Sequence, residues 1–291
     1  MPTAEATALD SPFISVVVTV KNEAANLPSL LESLRAQEPP YEVILVDAYS
    51  DDETWEIAER FSRQFPGIFR PFRRRGHRGE GRNYGALQAR GEYLAFTDGD
   101  CVADTGWLAG LRRGLRTAPV VAGRTQTLGS GSFAELERVE LYQHGMDVTY
   151  PSCNLAYEAS LFRSLEGFDP RFITAEDIDL NLRAVRSGAR LIYEPSAVIF
   201  HRTRPNLARF LLQAFWNGYG RKQLTEKHGQ LWAHYRYRRM LASQRSPLAS
   251  VRLAAALGGY FTRLLTGARA SQRIPPEPDP EAATSRARIR A

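Results

Sequence analysis

The sequence predicts an α/β fold in which a mostly parallel β-sheet is flanked by helices and followed by a C-terminal helical extension. Between residues 13 and 201, strand-like and helix-like patterns alternate, which is typical of a parallel sheet covered by helices. The first strand-like segment, FISVVVTV at 13–20, is a continuous β-branched run, as expected of a strand that is buried on both faces. After Pro205 the alternation stops and apolar helical segments follow.

The first part of this alternation is predicted to contain four strands and four helices. Runs of β-branched and aromatic residues indicate the strands, and apolar residues at helical spacing indicate the helices. The strands are expected at 13–20, 43–46, 68–72 and 93–97, and the helices at 26–34, 54–65, 81–90 and 107–115. The second and fourth strands run directly into Asp47 and Asp98, so acidic side chains are expected at strand ends.

The second part begins with a short strand at 120–122 and a less regular stretch that leads to the segment 153–157. A helix is predicted at 178–187, with Gly188 as its stop. Two strands, at 191–193 and 198–200, are expected to complete the sheet. The extension contains two predicted helices, at 207–218 and 248–265.

These elements suggest a division of the chain into a flexible N-terminus at 1–12, an α/β domain at 13–204, a helical extension at 205–271 and a disordered tail at 272–291. The tail is rich in Pro, Glu and Arg, a composition typical of disorder. Arg252 and Arg263 interrupt the last helix, so its uncharged span is shorter than the roughly 20 residues that a membrane crossing needs. We therefore expect this helix to lie on an anionic membrane surface or to pack against the main domain.

Composition restricts the classes of function. Hydrophobic residues make up 43% of the chain and charged residues 24%, the usual balance of a soluble globular protein. The net charge of +6 is compatible with nucleic acid, a membrane surface or phosphate-bearing ligands. Nucleic acid is not expected, because no zinc-finger spacing, RNA-binding aromatic signature or basic zipper occurs.

The cysteines and the N-terminus predict the cellular compartment. Cys101 and Cys153 are too few for a disulfide framework or a four-cysteine zinc site. The first residues, MPTAEATALDSP, lack the basic and apolar regions of a signal peptide. The expected location is the cytoplasm, with peripheral attachment to the inner face of the cell membrane as an alternative.

The strongest local chemical signal is Asp98-Gly99-Asp100, which follows an apolar strand. Ligands of open α/β sheets bind beyond the carboxyl ends of strands, and two carboxylates there can hold a hard divalent cation. A cation of this kind stabilises a leaving diphosphate as a Lewis acid. The same tripeptide alone is equally typical of a polar turn. Its context favours a nucleotide pocket, because Asp47 and the segment 19–23 stand at two further strand ends.

Five segments, in this order, give the chain a specific resemblance to a known family: SVVVTVKNEAANL, VILVDAYSDDET, GEGRNYGALQARGEYLAFTDGD, CNLAYEASLFRSLEGFDPRF and AEDIDLNLRAVRSGARLIYEP. The sequence resembles the family 2 glycosyltransferases, which have the GT-A fold. The resemblance implies a GT-A-type sheet, a nucleotide-sugar donor and a Mn²⁺ or Mg²⁺ cofactor. It covers most of the chain from Phe13 to His201 and leaves the residues after Pro205 unassigned.

The resemblance also implies roles for individual residues. Asp177, in the acidic pair Glu176-Asp177, is the expected general base; considered alone, the pair could equally be acidic residues favoured at the start of a helix. Asp100 is expected to ligate the metal directly, with Asp98 nearby and His201 as a third ligand, although a lone histidine is more often structural. Residues expected around the donor are Thr19, Glu23, Asp47, Arg78, Asn83, Asp98 and Asn154, with Asp47 reading the base, uracil by expectation.

The sequence departs from the usual family pattern at two points. Lys21 stands where an aromatic or small residue is common and adds a cation near the phosphates. Ala48 and Tyr49 replace a more typical Asp-Gly pair, so the way in which the base is recognised stays open. Neither change removes a catalytic group.

Three other functions compete with this interpretation. A nucleotidyltransferase would need a glycine-rich loop after the first strand, and residues 19–23 are not glycine-rich. A binding protein without turnover would not need the expected base Asp177. In a dinucleotide-binding oxidoreductase the glycine fingerprint follows the first strand, whereas Gly79, Gly81 and Gly85 come before the fourth.

The sequence therefore predicts an inverting, metal-dependent transfer of a sugar from a UDP- or GDP-sugar to a hydroxyl acceptor. Helices that carry arginine after Pro205 suggest a lipid-linked or cell-envelope glycan as acceptor, although they could instead cover the acceptor site or form a dimer interface. The oligomeric state stays open.

Overall fold

The computed structural model describes residues 12–128, 139–202, 207–229, 231 and 247–270. The predicted flexible N-terminus, apart from Pro12, and the predicted disordered tail at 272–291 lie outside these residues. The strands are β1 Ile14–Val20, β2 Tyr41–Asp47, β3 Phe69–Arg73, β4 Tyr93–Asp98, β5 Cys101–Ala103, β6 Val120–Leu128, β7 Tyr142–Gln143, β8 Met146–Asp147, β9 Leu155–Glu158 and β10 Leu191–Arg202. The α-helices are α1 Leu27–Arg35, α2 Thr54–Gln64, α3 Arg78–Gln88, α4 Trp107–Leu115, α5 Ala159–Ser164, α6 Glu176–Arg186, α7 Leu207–His228 and α8 Pro247–Ala270, and a 3₁₀ turn spans Ser152–Asn154.

The fold class predicted from the sequence is confirmed. Eight strands form one sheet in the order β3-β2-β1-β4-β9-β6-β10-β5. The strands β3, β2, β1 and β4 are parallel, β6 and β10 are parallel, and β9 and β5 run antiparallel to their neighbours. The carboxyl ends of β1, β2 and β4 therefore meet at one edge of the sheet.

Strand β1 lies in the centre of the sheet between two hydrophobic cores. Val16 and Val18 belong to the core under α1, α2 and α4, whereas Val17 belongs to the core under α3 and α6. All three side chains are fully buried, which explains why the first strand is apolar on both faces.

Two strands of the second part differ from the prediction. The strands predicted at 191–193 and 198–200 are one strand, β10, with a bulge between Glu194 and Val198. Pro195 lies in this bulge and has no backbone N–H for the ladder, so the sequence pattern is interrupted although the strand continues. The short strand predicted at 120–122 is the start of β6, whose polar second half pairs with β10.

Helix α3 begins at Arg78, three residues before the predicted helix at 81–90. A capping box explains the earlier start, because the His77 side chain accepts from the backbone of Glu80 and the Glu80 carboxylate accepts from the His77 N–H at 2.8 Å. The glycines at the start of α3 obscured this signal in the sequence.

The two C-terminal helices pack against each other through glycines. A Cβ atom on Gly218 would lie 1.7 Å from the Ala256 carbonyl oxygen, and one on Gly259 would lie 1.8 Å from the Phe215 carbonyl oxygen. Only glycine permits this close approach of α7 and α8. No helix among the described residues is long and apolar enough to cross a membrane.

An ion cluster attaches α7 to α6 and to the loop before it. We call Asp169, Asp179, Arg183, Lys227 and His228 the α6–α7 ion cluster. Lys227 Nζ lies 2.7 Å from both an Asp169 and an Asp179 carboxylate oxygen, and His228 Nε2 lies 2.7 Å from Asp179 Oδ1. Leu224 of α7 is also buried in the core that α6 covers. The described part of the helical extension is therefore packed onto the α/β unit.

Candidate active site

The ends of β1, β2 and β4 bring three of the predicted residues together. In the parallel register, Thr19 of β1 lies opposite Asp98 of β4, and the next residue of β1, Val20, lies opposite Asp47 of β2. Glu23 follows in the loop after β1. Adjacent strands are about 4.8 Å apart, so these side chains share one rim of the sheet.

Gly99, between the carboxylates of Asp98 and Asp100, packs closely against the end of β1 and the loop that follows it. A Cβ atom on Gly99 would lie 2.8 Å from Val20 Cγ1 and 2.9 Å from Glu23 Cγ. A larger residue would push the loop after β1 away from the rim. The small residue between Asp98 and Asp100 is therefore a packing requirement of the site.

The rim carries a concentration of negative charge. Burial raises the pKa of Glu23 above its ordinary value, and the nearby charges of Asp100 and Asp98 raise it further. A hydrogen bond from Asn26, at 2.7 Å, and the charge of Arg78 oppose this effect. Arg78 is exposed at the start of α3, where its guanidinium is available to an anionic ligand.

A group of three potential metal ligands stands beside the rim. Asp100, Cys101 and His201 each offer one ligand atom, and these atoms lie within 4.8 Å of one another. His201 Nε2 is 3.4 Å from Asp100 Oδ1. Strand β5 produces this arrangement, because its pairing with β10 places Cys101 directly opposite His201. A carboxylate, an imidazole and a thiol can each ligate a first-row divalent cation.

Asp98 is engaged by a buried arginine. Arg82 of α3 is 1% exposed and donates to Asp98 Oδ1 at 2.7 Å and to Glu176 Oε1 at 2.6 Å. Although burial works against its charge, the carboxylates of Asp98 and Glu176 raise the pKa of Arg82. Burial would raise the pKa of Asp98, but Arg82 and Arg78 hold it below its ordinary value. Such charge-assisted pairs are short and strong.

Arg82 is a residue of the candidate site that was not predicted from the sequence. A local signal was present, since Gly79, Arg82 and Gly85 recur at helical spacing on the buried face of α3. An arginine among glycines on such a face requires a buried anionic partner. Its partner Glu176 is 94 residues away along the chain, and nothing in the local pattern indicates it.

Asp177 lies at the start of α6, next to the Arg82 bridge. The preceding Ala175 has a left-handed backbone conformation with φ 65°, which turns the chain into the helix. Asp177 accepts hydrogen bonds from the Ser152 N–H at 3.1 Å and the Ile178 N–H at 2.8 Å. Burial and the charge of Glu176 raise the pKa of Asp177 to about 6, in spite of these bonds and of Arg82. A carboxyl group with this pKa is suited to proton transfer near neutral pH.

The Asp47 carboxylate is hydrogen-bonded to nearby residues of the protein. Its carboxylate is fully buried and accepts from the Ser50 N–H at 3.0 Å, the Ser50 hydroxyl at 2.5 Å and Arg73 Nε at 3.2 Å. Tyr49 has a left-handed φ of 56° and is 41% exposed, with the guanidinium of Arg75 4.7 Å from its ring centroid. Direct reading of a base by Asp47 stays a prediction, and it would require the Ser50 or Arg73 contact to open.

The two predicted asparagines bind other parts of the protein. Asn83 forms reciprocal hydrogen bonds with the backbone of Phe168, at 2.7 and 2.8 Å. Asn154 is completely buried; it accepts from Trp107 Nε1 at 2.8 Å and donates to the carbonyls of Arg124 and Ala197. Both amides thus stabilise the scaffold, and this geometry does not favour the predicted donor contacts. Lys21, predicted near the phosphates, is exposed and lies 3.4 Å from the Ala48 carbonyl oxygen.

The structure thus joins the predicted metal and base positions through one chain of contacts. Arg82 bridges Asp98 and Glu176, and Asp177 follows Glu176 in the chain. At the Asp98 end, Asp100 follows Asp98 after Gly99 and lies beside His201. This arrangement connects the candidate cation ligands with a carboxyl group that is able to accept a proton.

Comparison with known proteins identifies relatives of the chain. Residues 15–157 match the sequence profile of the family described as Glycosyl transferase family 2. The glycosyltransferase AglE of Haloferax volcanii is 30% identical over 230 residues, which cover 73% of this chain and 74% of AglE. The pre-mycofactocin glycosyltransferase of Mycobacterium tuberculosis is 28% identical over 237 residues, which cover 74% of this chain and 48% of that protein, so the chain spans about half its length.

Solved structures show the same fold. The mannosyltransferase PcManGT from Pyrobaculum calidifontis, solved in complex with GDP-Man and Mn²⁺, superposes with a TM-score of 0.62 at 20% identity over 96% of this chain and 79% of that one. S. aureus TarS in complex with UDP superposes with a TM-score of 0.55 at 18% identity over 92% of this chain and 94% of that one. At these identities the likeness concerns the fold alone.

Proposed function

Because the chain belongs to glycosyl transferase family 2 and is a glycosyltransferase, we propose that it transfers a sugar from a UDP- or GDP-sugar to a hydroxyl acceptor with inversion. The observation that carries this proposal is the position of Asp177. It combines a pKa of about 6 with a contiguous connection, through Glu176 and Arg82, to the Asp98–Asp100 rim.

Asp177 removes the acceptor proton. The hydroxyl oxygen attacks the anomeric carbon, its proton passes to the Asp177 carboxylate, and the bond to the diphosphate breaks with its electrons on the leaving oxygen. A carboxylate poised near neutral pH is effective in this role. The N–H groups of Ser152 and Ile178 hold the carboxylate in position, and Arg82 holds its neighbour Glu176.

Asp100 and His201 are the residues that would hold the divalent cation. When bound, the cation offsets the negative charge of the leaving diphosphate. Mn²⁺ fits better than Mg²⁺, because the donor group contains an imidazole, whereas Mg²⁺ prefers oxygen ligands alone. The Mn²⁺ in the PcManGT complex supports the same choice.

The nucleotide would extend from this cation toward β2. Uracil and guanine both carry a ring N–H beside a carbonyl, and the Asp47–Arg73 pair would present an acceptor beside a donor once a contact of Asp47 with Ser50 or Arg73 opens. The neighbouring structures with UDP and with GDP-Man support both donors as candidates. Arg78, exposed near Asp98 and Glu23, would contact the phosphates.

Exposed apolar residues of the α7–α8 pair support binding to an anionic membrane, and with it a lipid-linked acceptor. Leu212, Leu257, Phe261, Leu264 and Leu265 of this pair are between 46% and 81% exposed. The pair also touches the start of α6, because a Cβ atom on Gly220 would lie 2.7 Å from the Thr174 carbonyl oxygen. A membrane at this surface would thus bind a helix pair that contacts the residues just before the acidic pair of α6.

Ligand binding tests the donor site first. Thermal unfolding should be measured with UDP-, GDP-, dTDP- and CDP-sugars, NAD and nucleoside triphosphates, each with and without Mn²⁺. A Mn²⁺-dependent rise of the midpoint with one sugar nucleotide in the wild type, and not in Asp100→Ala, is the expected result. A rise with a triphosphate alone would favour a nucleotidyltransferase, and no rise with any nucleotide would contradict the proposal.

Liposome flotation tests the membrane surface. The wild type should float with vesicles that contain anionic lipid, and a Phe261→Gln, Leu264→Gln, Leu265→Gln variant should float less. Equal flotation of both proteins, or none by either, would remove the support for a lipid-linked acceptor and favour a role of this face in covering the acceptor or in self-association.

A further inference from the structure

Cys101 lies on the buried side of the proposed cation site. It begins β5 and lies opposite His201 of β10 in an antiparallel pair, and side chains of directly paired residues point to the same side of a sheet. Asp100 precedes it in the chain, and its carboxylate oxygen lies 3.4 Å from His201 Nε2. The ligand atoms of all three residues lie within 4.8 Å of one another.

Burial distinguishes the three side chains. Cys101 is completely buried, whereas the side chains of Asp100 and His201 are 24% and 30% exposed. The thiol therefore forms the floor of the group, and the carboxylate and imidazole form its solvent-facing side. A ligand in solvent would therefore reach a cation held by these residues from the side of the carboxylate and the imidazole.

Cys153 lies next to Cys101 but outside this group. The neighbouring Cys153 thiol raises the pKa of Cys101, together with burial, and Cys153 Sγ is 3.9 Å from the hydroxyl of Thr125. In the described ranges, Asp100, Cys101 and His201 form the one group of three or more such side chains whose ligand atoms lie close enough to share a metal ion, and Cys153 is not a member. Cys153 thus provides a matched control: a buried thiol in the same environment without a place in the donor group.

We propose that Cys101 is a third protein ligand of the cation, so that the site has oxygen, nitrogen and sulfur donors and prefers thiophilic divalent cations. This inference rests on the cation site of the proposed function. On binding, a sulfur–metal bond forms and the thiol proton is released to solvent, as is usual for a coordinating thiol. Sites of this composition bind Zn²⁺ and Co²⁺ more tightly than Mn²⁺ or Mg²⁺, so Zn²⁺ would displace the activating cation.

Cobalt spectroscopy reads the thiolate bond directly. Co²⁺ should be titrated into the metal-free full chain as wild type, Cys101→Ser and Cys153→Ser, and absorption recorded from the near ultraviolet to the visible. Visible d–d bands are expected in all three proteins. A thiolate-to-cobalt charge-transfer band is expected in the wild type and Cys153→Ser and should be absent from Cys101→Ser. Cys101→Ala serves as a second variant if serine is not tolerated in the core.

Zinc affinity provides a second readout that does not depend on activity. Competition with a chromophoric chelator should show weaker Zn²⁺ binding by Cys101→Ser than by Cys153→Ser. Loss of an outer-shell partner already costs roughly 10–100-fold in metal affinity, so loss of a direct ligand should cost at least as much.

The possible failures are distinguishable. A wild type that shows d–d bands without charge transfer, or a Cys101→Ser variant that keeps the charge-transfer band, overturns the thiolate ligand and leaves the proposed function in place. If Co²⁺ produces no bands in any of the proteins, the cation site and the sulfur ligand are overturned together.

Discussion

Asp177 and Asp179 stand two residues apart on α6, and the structure gives them opposite acid–base properties. Asp177 accepts hydrogen bonds from two backbone N–H groups, and burial with the charge of Glu176 raises its pKa to about 6. Burial would raise the pKa of Asp179 too, but His228, Lys227 and Arg183 lower it. Direct cationic partners, and not burial alone, decide which carboxylate stays reactive and which one holds the fold together.

The surroundings of each carboxylate explain the difference. Asp177 faces the rim of the sheet, and its cationic neighbour Arg82 is already occupied by Asp98 and Glu176. Asp179 faces the opposite side, where the α6–α7 ion cluster places Lys227 Nζ and His228 Nε2 each 2.7 Å from Oδ1. One helix therefore carries a candidate base and a structural anchor.

Asp177→Asn is expected to have the largest effect. Loss of the base should lower kcat by about 10²–10⁴-fold, the usual contribution of general base catalysis, with little change in the donor KM or in the unfolding midpoint. Initial-rate kinetics and thermal unfolding measure the two quantities. A variant that keeps most of the wild-type kcat would end the assignment of Asp177 as the base.

Asp179→Asn is expected to affect stability more than chemistry. Removing the charge leaves the cations around it without their buried partner, at a cost of about 3 kcal/mol in the free energy of unfolding. Because the folded pKa of Asp179 is lowered, its contribution is fully present above the ordinary carboxyl pKa of about 4 and is lost as the pH falls through the folded value. Denaturant unfolding between pH 3 and 7 should therefore show a smaller loss on acidification in the variant. Equal pH dependence in both proteins would contradict the anchoring role.

Arg82→Met should change both the rate and its pH dependence. The wild-type kcat/KM is expected to fall as the pH drops through about 6, because Asp177 must be ionised to accept a proton. The charge of Arg82 lowers the pKa of Asp177, so its removal should move this acid limb to higher pH and reduce kcat by about 10–100-fold at neutral pH. Arg78→Met, on the exposed start of the same helix, is the control, and it should raise the donor KM without moving the limb. If the acid limb of kcat/KM has the same pKa in Arg82→Met as in the wild type, Arg82 does not lower the pKa of Asp177.

Glu176→Gln should have the smallest effect and the opposite direction. The charge of Glu176 raises the pKa of Asp177, so its removal should shift the acid limb of kcat/KM downward by about half a unit to one unit. A pH–rate profile of the variant measures this shift. An upward shift would mean that freeing Arg82 from Glu176 matters more than the lost negative charge.

The parts of the fold that sequence could predict are those whose signal is local. The β-branched run of β1 and the apolar spacing of α4 were placed within one residue, since each depends on its own side chains facing a core. Strand β5 has three residues and follows the Asp-Gly-Asp turn at once, so its pairing with β10 left no pattern to detect. The bulge at Pro195 hid the continuity of β10 for a similar reason.

The residues of the candidate site also differ in whether a local sequence signal indicates them. The positions of Thr19, Asp98 and Asp100 were predictable because each residue lies at or directly after the end of an apolar strand. Arg82 and the partners of Asp179 were not, because their meaning depends on residues far away in the sequence: Arg82 meets Glu176, and Asp179 meets Lys227 and His228 of α7. Sequence patterns indicated where charge would gather, but the pairing of those charges needed the tertiary structure.

The position of β9 has a consequence for synthesis on the ribosome. Among the described strands, β6 pairs with β9 and β10 alone, and β9 also covers the free edge of β4. A nascent chain that has emerged only as far as residue 128 can pair β1, β2, β3 and β4, but β6 waits without a partner until residues 155–158 arrive. During that interval the β4 edge and both edges of β6 are exposed, and such edges are sites of aggregation. Slower elongation between residues 128 and 158 would therefore lower the yield of native protein, whereas the same pause after residue 202 would not.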